Sequence, residues 1–249
     1  YTSGKLDEAF QAFQSAKNSA TEDWEKAEAA YFLGKTLLDA GRENAGELFK
    51  AYLDEHESKK DWWVPHAMHG RAQAELALGR GNTANELFGR LESFGPVWKL
   101  RARIGQGRAL HAAKSYLEAR RAFDAVASDR SAPIALRHEA IAGRAEAFLA
   151  QEQYDNAIQE LRDGFFNVAR TGEIRYDRAR AQATLLTGLA YKAKGSKSDL
   201  ESAEIWLLKV GALYGTQGDL VERAAAALAE VYDGLGDPQR AARWRTRSK

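Results

Sequence analysis

The chain has no cysteine, one methionine and four prolines in 249 residues. The missing cysteines exclude a disulfide framework and any thiolate redox or metal chemistry; they leave the compartment open, since such a chain suits reducing and oxidising surroundings alike. Charge of one sign is also missing. Lys and Arg number 36 against 35 Asp and Glu, a formal net charge of +1, so no global field draws the chain to nucleic acid or to an acidic membrane. No apolar run is long enough to insert in a bilayer. No stretch alternates apolar and polar residues far enough to argue for strands. The chain opens at Tyr1 with neither methionine nor a signal-peptide pattern, so any signal or anchor is expected upstream, and a soluble protein of the cytoplasm or periplasm is expected.

What is present favours helix. Apolar residues make up 45% and charged residues 29%, a balance that folds. Alanine, leucine, glutamate and arginine dominate, all favourable in helices. The breaks are mostly glycine turns: Gly41, Gly79 to Asn82, Gly195, and Gly234 to Pro238. The expectation is an all-α chain.

A unit recurs along it. In residues 102–127, Ile104, Gly107, Leu110 and His111 fall at helical spacing, and a second helix runs from Tyr116 through Ala119 and Phe123 to Val126. An alanine followed four residues later by a larger side chain returns as Ala9/Phe13, Ala45/Phe49, Ala84/Phe88, Ala119/Phe123, Ala157/Leu161 and Ala203/Leu207, with Ala241/Arg245 weaker. The intervals run from 35 to 39 residues, with one of 46 ending at Ala203. Residues four apart share a helix face, so the small one admits a neighbouring helix and the large one fills the gap. The preceding helices pair a small residue with a larger one three later: Gly34 with Leu37, Gly107 with Leu110, Ala145 with Phe148, Gly188 with Tyr191, and Ala229 with Tyr232. Neither helix of such a pair can bury its stripe alone, so stacked copies are required.

These residues resemble the tetratricopeptide repeat family, whose signature joins a small residue and an aromatic in the first helix to Ala-x-x-x-Phe in the second. Ala30, Leu33, Gly34 and Leu37 followed by Ala45 and Phe49 match it well; so do Ile141, Ala145, Phe148, Tyr154, Ala157 and Leu161. The resemblance implies an α-solenoid of stacked antiparallel helix pairs wound as a right-handed superhelix. Residues 1–249 are expected to form one such domain, with a partial first repeat over 1–25 and five or six pairs from 26 to 249. The departures are intervals longer than the family's and Arg71 and Glu75 at positions expected to be apolar. The long interval at Ala203 calls for longer helices or an enlarged loop at Lys194–Asp199. The leading edge should expose Ala9, Phe10 and Phe13, and Arg240, Arg243, Arg245, Arg247 and Lys249 should form a polar closing helix.

Candidate chemistry is thin. His66 and His69 lie three apart on one helix face, where two imidazoles can share a metal, with His111 as a third ligand from the next repeat; surface histidines without metal are the better account. His138-Glu139 opens like a zinc-protease helix, but Ala142 stands where the second histidine belongs. Gly105-Gln106-Gly107 is half a dinucleotide loop with no strand before it, and Ser3-Gly4-Lys5 lacks the leading glycine of a phosphate loop. No catalytic set, cofactor site or metal site is expected. Trp62-Trp63 either seals a junction between repeats or anchors a partner, the junction being favoured.

Stacked pairs turn slightly from one to the next and leave a concave surface lined by the first helix of each. Its candidate lining is Glu28, Tyr31 and Lys35; His66, His69 and Gln73; Arg101, Arg108 and His111; then Glu139 and Glu146. The expected function is a non-catalytic scaffold for another protein, with an acidic peptide as first ligand and no nucleic acid. The Lys/Asn carboxylate clamp of chaperone-binding family members is not found here. The alternative is a structural module that self-associates through its N-terminal edge. An enzyme with a site between helices ranks last.

Overall fold

In a computed structural model of the chain, the described residues are 5–59, 61–167 and 178–247. Among them run thirteen α-helices: α1 (Leu6–Ser19), α2 (Asp23–Asp39), α3 (Ala45–His56), α4 (Val64–Ala77), α5 (Gly81–Leu91), α6 (Pro96–Ala112), α7 (Tyr116–Ala127), α8 (Ile134–Ala150), α9 (Tyr154–Leu161), α10 (Arg178–Lys194), α11 (Lys197–Leu213), α12 (Gly218–Gly234) and α13 (Pro238–Arg247). No strand occurs among the described residues.

The helices fall into two compact units, Tyr1–Ser115 and Tyr116–Lys249. In the first, each helix from α1 to α6 packs on the next, and α2 also meets α4 as α4 meets α6. In the second, each from α7 to α13 packs on the next, with α8 against α10 and α10 against α12. Even-numbered helices therefore form one layer of each unit and odd-numbered helices the other. This is an α-solenoid arrangement of antiparallel pairs.

The alanine series shows why the pairs close. Ala45, Ala84, Ala119, Ala157, Ala203 and Ala241 are all fully buried, and Phe49, Phe88, Phe123, Leu161 and Leu207 are among the largest side chains with almost no exposure. Each of four bulky members drives into a glycine notch on a neighbouring even helix. Phe49 fills the notches at Gly34 and Gly70, Phe88 that at Gly105, Phe123 that at Gly143, and Leu207 that at Gly188. A Cβ on Gly34 would stand 2.9 Å from the Phe49 ring, and one on Gly188 2.7 Å from Leu207. The notch that Phe88 fills is at Gly105, two residues before the Gly107 that the sequence paired with Leu110.

Five of the six even helices, all but α10, also end alike. Arg42 N–H donates to the Leu37 carbonyl and Gly41 N–H to that of Leu38, the paired bonds that cap a helix through one left-handed residue. The same pair recurs at Gly79/Arg80, Lys114/Ser115, Glu152/Gln153 and Gly236/Asp237, every first member having positive φ.

Of the two origins expected for the long interval before Ala203, longer helix accounts for part of it and an enlarged loop at Lys194–Asp199 does not. That turn is short: Gly195 takes φ of +79° and Ser196 caps α11, its hydroxyl accepting from Asp199 N–H at 3.1 Å. The extra residues lie partly in the longer start of α11 and partly after α9, where Arg162–Phe166 form a π-helical turn. Phe165 of that turn is buried, and its carbonyl accepts from the buried Arg180 guanidinium at 2.9 Å.

At the leading edge α1 has no buried residue, and Phe13 stacks on Phe32 with ring centres 5.1 Å apart. Glu75 is 6% exposed and meets Arg80 at 3.2 Å, a partner for a residue that fits the repeat pattern poorly. At the far end, Arg240 meets Asp237 and Glu204, Arg245 meets Asp233, and Arg247 lies 5.0 Å over Trp244. Lys249, expected in that basic helix, lies outside the described residues.

Candidate partner-binding face

Two even helices of the first unit begin in similar ways. Asp61 accepts the Trp63 N–H at 2.9 Å and holds the turn into α4, which has Pro65 in its first positions; α6 starts at Pro96 after Gly95. A proline there loses nothing, because the first N–H groups of a helix have no partner inside it. From these starts, His66, His69 and Gln73 follow one face of α4, while Trp98, Arg101 and Arg108 follow one face of α6.

The structure brings the upper parts of these faces together. The His66 ring lies 4.8 Å from that of Trp98, edge-on at 89°, and 6.3 Å from that of Trp62. His69 lies 6.1 Å from Trp98 and edge-on to Phe88 at 5.8 Å. The Arg101 guanidinium sits 5.7 Å over the Trp98 ring. Burial, helped by Arg101, Arg108 and His66, pushes the His69 imidazole down to about 3; burial and Arg101 hold His66 below its ordinary value. Both are thus neutral near pH 7, and the positive charge of the face comes from the arginines.

Other expected lining residues stand elsewhere. Tyr31, expected on the open face, is 8% exposed and belongs to the core, with Trp63 stacked on it at 4.6 Å. The cause is the tryptophan pair: Trp63 seals the junction of α2 with α4, and Trp62 is left 77% exposed. Lys35 pairs with Asp39 of its own helix. Gln73 and His111 are half-buried, and Arg108 lies close enough to His69 to lower its pKa. Glu139 and Glu146 belong to the second unit, where Glu146 accepts from Gln182 at 2.8 Å. His138 is buried against Phe165 at 4.6 Å, a core position. Trp98 is the residue that sequence reasoning missed, although its place three before Arg101 puts it on the same face.

No group of three or more His, Cys, Asp or Glu converges among the described residues, and none of their helices is long and apolar enough to cross a membrane. Comparison of the sequence with family models and with characterised proteins gives no match. Solved structures do match. A tetratricopeptide repeat protein from Parabacteroides merdae superposes with a TM-score of 0.69 at 18% identity, over 92% of this chain and 78% of that one. The architecture is that of tetratricopeptide repeats. The apo form of RapI is similar as well, with a TM-score of 0.61 at 15% identity over 98% of this chain and 90% of its own. In tetratricopeptide terms, α2, α4 and α6 are first helices of their pairs, so the Trp62, His66, Trp98 and Arg101 cluster lies on the first-helix layer.

Proposed function

We propose that the first-helix layer binds a peptide or helix of another protein, so that the chain serves as an interaction scaffold and performs no chemistry of its own. One observation carries this reading. Arg101, His69 and Gln73 make no side-chain hydrogen bond or ion pair among the described residues, whereas cations elsewhere, such as Lys35, Arg144 and Arg178, are paired. Their polar atoms are open to water, so a ligand can reach them and replace that water. The tetratricopeptide likeness supports the same class of role. The test places a photo-crosslinking amino acid at Gln73, and for comparison at Glu118 on α7, in cells of the source organism. A defined protein adduct at Gln73 alone is expected; equal labelling at both positions counts against the reading.

Self-association through the N-terminal edge is the second reading. Trp24, 63% exposed, stands at a groove lined by Phe13, Ala16 and Phe32 and favours contact there. Residues 6–29 carry six carboxylates against two lysines, however, so two such edges repel face to face. Light scattering that finds only monomer at high concentration removes this alternative.

A further inference from the structure

The ring cluster on α4 and α6 is more specific than a generic peptide surface. Trp62 leaves 77% of its surface in water at the start of α4, an unusual position for the largest aromatic side chain. Trp62 and Trp98 lie 6.3 and 4.8 Å from the His66 imidazole, which Trp63 also meets at 5.2 Å, so His66 links an exposed indole to a half-buried one on this face. Flat walls favour a ring over a branched aliphatic group, because offset and edge-on contacts add to simple burial.

Arg101 supplies the second half. Its guanidinium is held over Trp98 and makes no ion pair among the described residues. It stands within one turn of that ring on the same helix, so a charge bound to Arg101 lies within one residue's reach of a ring seated on Trp98. His69 and Gln73 are half-buried along α4 with unused hydrogen-bonding groups. An acceptor oxygen suits Arg101 and His69, which both stand beside Trp98. Nucleic acid fits less well, since a phosphate backbone needs a track of cations and the whole chain is balanced at +1.

We infer that this face takes a peptide in which an aromatic side chain stands beside a carboxylate, the ring seated against Trp62, His66 and Trp98 and the carboxylate on Arg101, with His69 donating to it. The inference rests on the scaffold reading and names the ligand class of that same face.

Three blocked tetrapeptides test it: Ala-Trp-Asp-Ala, Ala-Leu-Asp-Ala, which keeps the charge and lacks the ring, and Ala-Trp-Asn-Ala, which keeps the ring and lacks the charge. Each is titrated into the full chain and followed by amide chemical shifts. The Trp-Asp peptide should bind about tenfold more tightly than either control, with shifts confined to α4 and α6. Trp62→Ala, at an exposed position, should reduce it to the level of the Leu-Asp peptide. Arg101→Gln should reduce it to the level of the Trp-Asn peptide. Equal affinity for all three peptides, or no shifts on α4 and α6, overturns the ring-and-carboxylate inference. So does competition by a short thymidine oligonucleotide at lower concentration than the peptide. The scaffold reading is judged separately by the Gln73 adduct, and it stands if an adduct forms through a segment lacking such a pair.

Discussion

At the scale of single residues, the fold depends on where glycine meets a bulky side chain. An alanine is worth about 1 kcal/mol more than glycine in a helix interior, so Gly143→Ala should help α8 if propensity decided. The new Cβ would stand 2.6 Å from the buried Phe123 ring, which has no room to retreat. Overpacking of this kind costs about 1–3 kcal/mol, enough to outweigh the propensity gain. Urea denaturation should therefore show Gly143→Ala less stable than the parent; a more stable variant would contradict the notch. The sequence half revealed this feature. Gly34, Gly70, Gly105 and Gly143 recur at nearly the same intervals as the alanines, yet Gly105 and Gly107 are two apart on one helix and both buried. Only the direction from which Phe88 arrives selects between them. His69 gives a second residue-scale expectation. An imidazole held near 3 in the folded chain binds fewer protons than in the unfolded chain, so its stabilising contribution is full above about pH 6.5 and falls as acid is added. A loss of about 1–2 kcal/mol by about pH 5 is expected in urea titrations. His69→Gln should reduce that slope, the remainder coming from His66, which is also held below its ordinary value. Asp219 and Asp237 also have depressed values, but their contributions are lost only at lower pH, through the carboxylate range.

At the scale of elements, the turns closing the even helices separate what was legible from what was not. Gly41, Gly79, Gly195 and Gly236 announce their positions, because a left-handed residue is most easily glycine. Lys114 and Glu152 occupy the same conformation, at φ of 61° and 59°, without the sequence showing it. Repeat spacing brackets those turns all the same, between His111 and Tyr116 and between Phe148 and Tyr154. A side chain there costs about 1–2 kcal/mol over glycine, offset in part by the greater freedom glycine has when unfolded. Glu152→Gly should therefore raise stability by about 0.5–1 kcal/mol, seen as a higher urea midpoint at unchanged slope. A lower midpoint would mean that the Glu152 side chain makes a contact worth more than the strain. The reading of the binding face failed at Tyr31 for a related reason. Helical spacing shows which residues share a face, but Trp63, arriving from the turn before α4, covers that part of α2.

At the scale of the molecule, each unit is held by contacts between helices close in sequence, so stability should vary from helix to helix. In arrays of this kind the terms are intrinsic helix stability and the interfaces with nearest neighbours, and an element lacking one interface opens first. α1 is such an element: none of its residues is buried, and α2 is the helix it packs on. α4, in contrast, meets α2, α3, α5 and α6 and buries Val64, Ala67, Met68, Ala72 and Ala74 almost completely. α10 is built in the same manner, with ten buried residues. Native-state hydrogen exchange should show α1 opening by a low-energy local route, while amides of α4 and α10 exchange only in larger openings. The gap should be several kcal/mol, since each fully buried aliphatic side chain contributes about 1.5–3 kcal/mol. Uniform protection from α1 to α6 would mean that the first unit unfolds as one body, and that the packing of each helix on its neighbours is not what sets its stability.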